Sequence, residues 1–259
     1  MQIFDSHCHL DDPAFDRDRA GVIESARTAG VIRLMTIGVT PETSAQAVML
    51  ADEYPEVYAS VGIHPHDAKT CSAPALEQLV QLTKNPKVCA WGEIGLDFNR
   101  MYSPQEQQEH WFIKQLELAA GLALPLIFHE RDSNGRFLEI LTHHGPPAFK
   151  GVVHCFSGTQ KELEQYLELG LHIGITGIIT LQSRGAQLRQ LVSLVPAERL
   201  LVETDAPYLT PAPEKNRTRR NEPAFVKAVL LKLAEVRKED PEKLARIVWE
   251  NTNRLYRIN

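Results

Sequence analysis

Short runs of apolar and β-branched residues alternate with longer amphipathic stretches along the whole chain. Eight of these runs are typical of buried strands, and they lie near residues 3, 33, 58, 89, 125, 151, 172 and 200. The stretches between them have the period of surface helices, and glycines that are predicted to stop a helix recur at Gly30, Gly121, Gly145 and Gly170. The pattern predicts eight strand–helix units.

Eight such units are the number that closes a parallel (β/α)8 barrel, the TIM-barrel fold, and 259 residues suit this fold. No linker rich in Ser, Gly or Pro divides the chain, so we expect a single domain over residues 1–259. Residues 222–259 predict two further helices separated at Pro241, the second being an extra C-terminal helix. A doubly wound open sheet is the alternative fold.

Composition and charge narrow the range of partners. The formal net charge is −5, whereas proteins that hold nucleic acid by bulk electrostatics are usually basic. An anionic substrate would therefore need a local site. The first residues do not read as a signal peptide, no apolar run is long enough for a membrane helix, and the four cysteines are widely separated. We expect a cytoplasmic protein with reduced thiols and no membrane partner.

Potential metal ligands stand at the ends of five predicted strands. His7 and His9 are two residues apart on the first strand, so their side chains leave the same face. The remaining candidates end later strands: Glu93, His129, His154 and Asp205. The carboxyl ends of the strands in a (β/α)8 barrel surround one mouth, where we expect these six residues to meet. Packing does not explain them, because polar residues are rarely buried without partners.

Histidine and carboxylate ligands without cysteine suit Zn, Mn, Ni, Fe or, with more water ligands, Mg, and we take Mg, Mn and Zn as the candidates. Two divalent ions at such a site activate a water molecule and neutralise charge on a phosphoryl or carbonyl oxygen. Glu93 stands between two groups of histidines and is the candidate bridging carboxylate. Asp205 is predicted to bind one ion and to take the proton from the attacking water. Glu93 and Asp205 are therefore the candidate catalytic residues.

A second group of residues is predicted to bind substrate. His66 follows the third strand, beside a more structural His64, and faces a phosphate or leaving group unless Pro65 holds it at the rim. Arg131 shares the face of His129 and would reach a phosphate, with a rim salt bridge as the alternative. The basic run 215–223 lies after the eighth strand, where barrels often hold phosphate; the alternative is a solvated face. Its candidate phosphate ligands are Arg217, Arg219 and Arg220.

These residues belong to longer motifs that occur in a characteristic order. The chain contains, in sequence, IFDSHCHLD, GIHPHD, GEIGLDF, PLIFHERDS, VHCFSG, LVSLVPAERLLVETDAPYL and RRNEP. Over essentially its whole length it resembles the TatD family of metal-dependent deoxyribonucleases, a branch of the amidohydrolase-like metal hydrolases. Several of these motifs in one order are specific, whereas His-x-His alone is not.

The resemblance implies a TIM barrel that holds two divalent metal ions. It places His7, His9 and Asp205 on one ion, His129 and His154 on the other, and Glu93 between them. It also implies hydrolysis of DNA phosphodiesters, commonly as a Mg-dependent 3′–5′ exonuclease that prefers single strands. The expected partner is therefore DNA, as a single strand or a 3′ end.

Two departures and two rival functions accompany this expectation. Ser133 and Gly135 replace the small and acidic residues that the family often has after the central histidine–arginine motif, which affects substrate contacts rather than ligands. The first rival is a metal-dependent esterase or amidohydrolase, for example one that hydrolyses aminoacyl-tRNA esters, as has been credited to other members. The second is a non-catalytic metal-binding protein. The sequence leaves the oligomeric state open.

Overall fold

The computed structural model describes residues 1–259 as a ring of parallel strands, each joined to the next through a helix. The strands pair in the order of the chain, from β1 to β8. They are β1 Ile3–Cys8, β2 Val31–Ile37, β3 Val57–Val61, β4 Val88–Asp97, β5 Leu126–Arg131, β6 Gly151–Val153, β7 His172–Ile175 and β8 Leu200–Val202. This order confirms the barrel and excludes a doubly wound sheet, whose strand order reverses at a switch point.

Contacts between the first strand and the end of the last strand bring the ring nearly to closure. The backbone N–H of Asp205 donates to the His7 carbonyl at 2.9 Å, and that of His9 donates to the Ala206 carbonyl at 2.7 Å. Cys8 and Ala206 form a parallel bridge beside these bonds. The residues after β8 are therefore fastened directly to the strand that carries His7 and His9.

Nine α-helices accompany the strands. They are α1 Arg19–Thr28, α2 Pro41–Glu53, α3 Ala73–Leu82, α4 Gln105–Leu122, α5 Arg136–His144, α6 Gln160–Glu168, α7 Ala186–Leu191, α8 Val226–Arg237 and α9 Pro241–Tyr256. Thr40 and Thr159 begin α2 and α6 with reciprocal capping boxes. None of the nine combines the length and apolar character needed to cross a bilayer.

The predicted helix ends are mostly correct, with one exception. Gly30 and Gly170 follow α1 and α6 at positive φ, and Gly145 ends α5. The prediction for Gly121 is wrong, because α4 continues through it and ends at Ala123, which takes the left-handed conformation itself. A glycine inside a helix costs about 1 kcal/mol relative to alanine, and neighbouring helical residues outweigh that cost here.

Two apolar cores lie on the two faces of the ring. The larger one, with 56 buried residues, packs the helices against the outside of the sheet. The smaller one fills the inside near the amino ends of the strands, where Phe4 and Leu201 meet Leu255, Tyr256 and Ile258 from the C-terminal segment. Helix α9, the predicted extra helix, thus closes the end of the barrel at the amino ends of the strands and leaves their carboxyl ends for the site.

Register irregularities turn two strands at the positions of predicted ligands. Strict alternation would send Ile3 and Cys8 to opposite faces, yet both belong to the outer core, and the register of β1 shifts between Asp5 and Cys8. Trp91 and Ile94 show the same exception across a shift in β4. Such bulges re-aim side chains and are frequent next to active sites. Here they bracket His7 and Glu93.

Candidate metal-dependent active site

All six predicted ligands meet at the carboxyl end of the barrel. A cleft of about 680 Å³ opens there, and His9, Glu93, His129, His154 and Asp205 line it. The sixth ligand, His7, lies beneath them and is completely buried. Five strands from distant parts of the chain therefore deliver these side chains to one place, as the barrel prediction requires.

Asp205 is the centre of a first group of ligands. One of its carboxylate oxygens, Oδ1, lies 3.4 Å from His9 Nε2 and 3.7 Å from both His7 Nε2 and His154 Nε2. Asp205 has a φ of 59°, a left-handed conformation that aspartate tolerates better than most residues. We call Asp205, His7, His9 and His154 the β1–β8 group.

A second group surrounds Asp97, the last residue of β4. Asp97 Oδ2 lies 2.8 Å from His66 Nε2 and 3.2 Å from His129 Nε2. The ring of His64 packs edge-on against both histidines, with centroid distances of 4.3 and 4.4 Å. We call Asp97, His64, His66 and His129 the β3–β5 group.

Glu93 lies between the two groups and presents a different oxygen to each. Its Oε2 is 3.3 Å from His7 Nε2 in the β1–β8 group. Its Oε1 is 2.8 Å from His129 Nδ1 and 3.6 Å from His64 Nε2 in the β3–β5 group, and 3.9 Å from His154 Nε2. One carboxylate that faces two sets of imidazole nitrogens is the arrangement expected of a bridging ligand.

Sequence reasoning missed Asp97 because β4 was expected to end at Glu93. The strand continues for four more residues, and an even spacing returns Asp97 to the face of Glu93. The same even spacing from Asp205 was available for Glu203, which is 1% exposed. An acidic residue two or four positions from a predicted ligand, on the same face of the strand, was therefore the sequence signal that could have found Asp97 and Glu203.

Glu203 contacts Nδ1 of His154, the ring nitrogen that does not face Asp205. Its Oε1 lies 2.8 Å from His154 Nδ1, an ionic contact outside hydrogen-bond geometry, and accepts the N–H of Cys155 at 2.7 Å. A carboxylate on the far nitrogen of a histidine fixes the ring and leaves Nε2 free for a ligand bond. The space for Glu203 depends on Gly174, since a Cβ there would lie 2.6 Å from the carboxylate oxygens.

The remaining histidines are oriented by backbone groups. His9 Nδ1 lies 3.3 Å from the Ile37 carbonyl, so donation to it would leave Nε2 unprotonated and facing Asp205. His64 has the opposite arrangement, because its Nδ1 accepts the N–H of His66 at 3.0 Å. In neutral His64 the proton is then on Nε2, which suits donation to a substrate oxygen or to Glu93 rather than metal binding.

In both groups, the neighbouring charges lower the pKa of the carboxylates and raise the pKa of two of the histidines. Burial would raise the pKa of Glu93 and Asp205, but the surrounding histidines lower both. Burial would lower the pKa of His9 and His129, but Asp205 raises the first to about 9, and Asp97 and Glu93 raise the second to about 9. Burial lowers the pKa of His64 to about 3. The carboxylates thus attract positive charge, which protons supply when no metal ion is bound.

The donor set fits a divalent ion. Neither ring nitrogen of the buried His7 makes a hydrogen bond, although unpaired buried polar atoms are rare. Ligands about 2.0–2.2 Å from a shared zinc ion lie roughly 3.3–3.6 Å apart in a tetrahedral arrangement. The separations of 3.3–3.7 Å around His7 and Asp205 match this spacing.

The rim of the cleft carries guanidinium groups without carboxylate partners. Arg131 lines the cleft together with Arg100 and Arg184, and none of the three forms a salt bridge. Sequence reasoning missed Arg100 and Arg184 because both lie in loops. His66 also lines the cleft.

The predicted basic run is placed differently. Arg217, Arg219 and Arg220 do not line the cleft. Arg220 pairs with Asp18 and Glu222 at 2.7 and 2.9 Å, and its guanidinium lies over the ring of Phe15. It therefore fastens the loop after β8 to the segment after β1.

Known proteins resemble this chain in sequence and in fold. The family described as TatD-related DNase matches residues 4–257. The chain is 43% identical to the "3′-5′ ssDNA/RNA exonuclease TatD" of Rahnella sp. strain Y9602 and 44% identical to the protein of that name from Erwinia billingiae, covering 99% of each chain. The solved structure of YJJV, a TatD homologue from Escherichia coli K12, superposes with a TM-score of 0.91 at 33% identity, covering 99% of this chain and 98% of the other.

Proposed function

We propose that this chain, which belongs to the TatD-related DNase family, is a cytoplasmic 3′–5′ exonuclease that hydrolyses the phosphodiester bonds of single-stranded DNA with divalent metal ions. The curated relatives at 43–44% identity bear the name of a 3′–5′ ssDNA/RNA exonuclease. The site supports the same chemistry independently of those names. It combines carboxylate and imidazole ligands at the floor of a cleft with unpaired guanidiniums at its rim.

The observation that carries the proposal is the position of Glu93. Its two carboxylate oxygens face different groups of imidazole nitrogens, at 3.3 Å on one side and 2.8 Å on the other. A single-ion site has no need for a carboxylate with two such faces. Two-metal hydrolases of phosphate esters use this kind of bridge.

We assign the two ions to ligand sets that share Glu93. His7, His9 and Asp205 would hold the first. His129 would hold the second together with His154, which belongs to the β1–β8 group but also faces Glu93 Oε1, at 3.9 Å. When bound, such ions lower the pKa of a water ligand and neutralise charge on the phosphoryl oxygens. Mg, Mn and Zn are the candidates, because the donors are nitrogen and oxygen without sulfur.

Each remaining step belongs to a side chain of the cleft. Asp205 has its Oδ1 directed at three histidines, and its Oδ2 makes no hydrogen bond or salt bridge. We assign the proton of the attacking water to Oδ2. Asp97 orients His66 through Nε2, which leaves Nδ1 of that ring to contact the phosphate or the leaving oxygen. Arg131 would bind a non-bridging phosphate oxygen.

The test is cleavage of end-labelled single-stranded DNA after removal of metal ions and addition of Mg, Mn or Zn. We expect metal-dependent shortening from the 3′ end by the wild-type protein. The Glu93→Gln variant should lose at least about 10²-fold in rate, since charge stabilisation by the metal site contributes several kcal/mol. Glu117→Gln is the matched control, because Glu117 is half-exposed on α4 and pairs only with Lys114.

Three results would contradict the proposal. Equal cleavage by Glu93→Gln and wild type would remove Glu93 from the mechanism. Shortening from the 5′ end would reverse the polarity. Absence of DNA cleavage together with hydrolysis of an aminoacyl-tRNA ester would favour the carboxylic-ester rival, and bound metal without turnover of either substrate would favour a non-catalytic protein.

A further inference from the structure

The exposed aromatic side chains of the protein are concentrated at the cleft. Among all phenylalanine, tyrosine and tryptophan residues, only Tyr102 and Tyr208 are exposed, each by 53%. Both line the cleft that contains the candidate metal ligands. A tyrosine ring offers an apolar face and a polar tip, so two exposed rings that line one cleft are available to a ligand bound there.

The two rings stand on opposite walls. Tyr102 follows β4 and Tyr208 follows β8, and three strands separate β4 from β8 in either direction around the ring. The Tyr102 ring packs edge-on against His66 of the β3–β5 group at 4.7 Å between centroids. The Tyr208 ring packs edge-on against His9 of the β1–β8 group at 5.8 Å. Each tyrosine therefore flanks one side of the candidate metal site.

Both rings are held by their neighbours in the chain. The Ser103 hydroxyl, next to Tyr102, donates to the His66 carbonyl at 2.7 Å and accepts the N–H of Lys69 at 2.9 Å. The buried Asn221 side chain donates to the Tyr208 carbonyl at 2.6 Å. The hydroxyl groups are also engaged, since Tyr208 donates to Asp12 at 2.9 Å and Tyr102 accepts from Arg100 at 3.2 Å.

We propose that Tyr102 and Tyr208 are stacking platforms for the two nucleobases on either side of the scissile phosphate. The proposal rests on the nuclease function above and identifies how that site holds its substrate. Aromatic rings stack on every base, so such platforms bind a strand without reading its sequence. Two platforms on opposite walls hold neighbouring bases apart, which requires a strand whose bases are unpaired.

Arg100 adds a charge to the first platform. Its guanidinium contacts the Tyr102 hydroxyl and has no carboxylate partner. A base on Tyr102 would bring its own phosphate towards that guanidinium. The Tyr208 hydroxyl instead contacts the acidic Asp12, which would not attract a phosphate. The charges beside the two tyrosines therefore differ. A strand bound with its 5′ and 3′ directions reversed should bind less tightly.

The experiment pairs tyrosine variants with base-free substrates. Tyr102→Ala and Tyr208→Ala are compared with Tyr102→Phe and Tyr208→Phe on single-stranded oligonucleotides that carry one abasic residue, either at the 3′ end or one position before it. Each alanine variant should raise KM for the intact strand by roughly 5- to 150-fold, the equivalent of ~1–3 kcal/mol per stacked base. The phenylalanine variants should stay within a few fold of wild type, because the ring faces remain. Leu194→Ala, which removes an exposed side chain outside the cleft, is the control for folding.

The decisive result is whether the effect of each tyrosine variant depends on which nucleotide of the substrate is abasic. Each alanine variant should be insensitive to the abasic residue at one of the two positions and fully sensitive to the other. Costs that add at both positions would show that the tyrosines act without touching a base, and would overturn the proposal. Loss in kcat with unchanged KM would do the same.

A binding measurement separates this inference from the proposed nuclease function. A 2-aminopurine base at the 3′ end loses fluorescence when it stacks, and we expect this loss with the wild-type and Phe proteins but not with one of the Ala variants. Tyrosine-dependent quenching without cleavage would leave the platforms intact and reject the nuclease. Cleavage with equal KM and quenching in all variants would retain the nuclease and reject the platforms.

Discussion

The two halves of the candidate site use the same residue types but different spacings. In the β1–β8 group, Asp205 lies 3.4–3.7 Å from three imidazole nitrogens, too far for strong hydrogen bonds. In the β3–β5 group, Asp97 is hydrogen-bonded to His66 at 2.8 Å and lies 3.2 Å from His129. The β1–β8 group therefore leaves space for an ion between its ligand atoms. The ligand atoms of the β3–β5 group are already hydrogen-bonded to one another.

This difference indicates that the two halves respond differently to a metal ion. An ion that enters the β1–β8 group meets nitrogens without competing partners, such as those of His7. An ion that uses His129 must displace a contact to Glu93 or to Asp97, because each ring nitrogen already has one. We expect the first half to hold its ion more tightly and the second to exchange its ion readily.

The largest expected effect is that of Asp205→Asn. Loss of the carboxylate that receives the proton of the attacking water should reduce kcat by about 10²–10⁴-fold, the usual contribution of general base catalysis. Metal content of the variant should be only partly reduced, because His7, His9 and Glu93 remain as ligands. The measurement is kcat on single-stranded DNA at saturating Mg.

Asp97→Asn is the comparison for that variant. Asp97 orients His66 and His129 but does not face the attacking water in our assignment, so its loss should reduce kcat by a smaller factor. Turnover of Asp205→Asn within a few fold of wild type would refute the base, and equal losses in both variants would refute the distinction between the two halves.

The next effect concerns the carboxylate behind His154. Glu203→Gln should weaken ion binding about 10–100-fold, as is typical when the partner of a ligating histidine is lost. Gly174→Ala should act in the same direction, since its Cβ would lie 2.6 Å from the Glu203 oxygens. Ion affinity is measured by titration of the metal-free protein with Mn.

Asp97→Asn again supplies the contrast in these titrations. Because Asp97 competes for a nitrogen of His129, its replacement should leave ion affinity unchanged or raise it. A loss as large as that of Glu203→Gln would show that both halves depend on their carboxylates in the same way.

The sequence could predict the ligands because their positions follow from the strands alone. His7 and His9 share a face by spacing, and parallel strands bring their carboxyl ends together whatever the intervening helices do. Asp97 required the true end of β4, which depends on its pairing with β5 beyond Glu93. Strand ends of this kind are set by tertiary contacts rather than by the local pattern.

Loop residues were beyond sequence reasoning for a different reason. The basic run after β8 was expected at the phosphate, but Arg220 pairs with Asp18, a residue 202 positions earlier. Arg100 and Arg184 stand in loops with no periodic signal, yet both line the cleft. The direction of a long side chain depends on partners that are distant in sequence, and only the fold reveals them.

The smallest expected effect, up to about tenfold per proton for a change of one pH unit, is the dependence of ion affinity on pH. With no ion bound, Asp205 raises the pKa of His9 to about 9, and Asp97 and Glu93 raise that of His129 to about 9. Both rings are therefore protonated at pH 7, and an ion must expel a proton from each histidine that it uses. Affinity should rise as pH increases towards 9 and then level off, by up to about tenfold per pH unit for each proton expelled.

Calorimetric titration with Mg between pH 6.5 and 9.5, in buffers of different ionisation enthalpy, counts those protons. His9→Gln should remove one proton from the tighter ion and none from the weaker, and affinities independent of pH between 7 and 9 would contradict the electrostatic account of both halves.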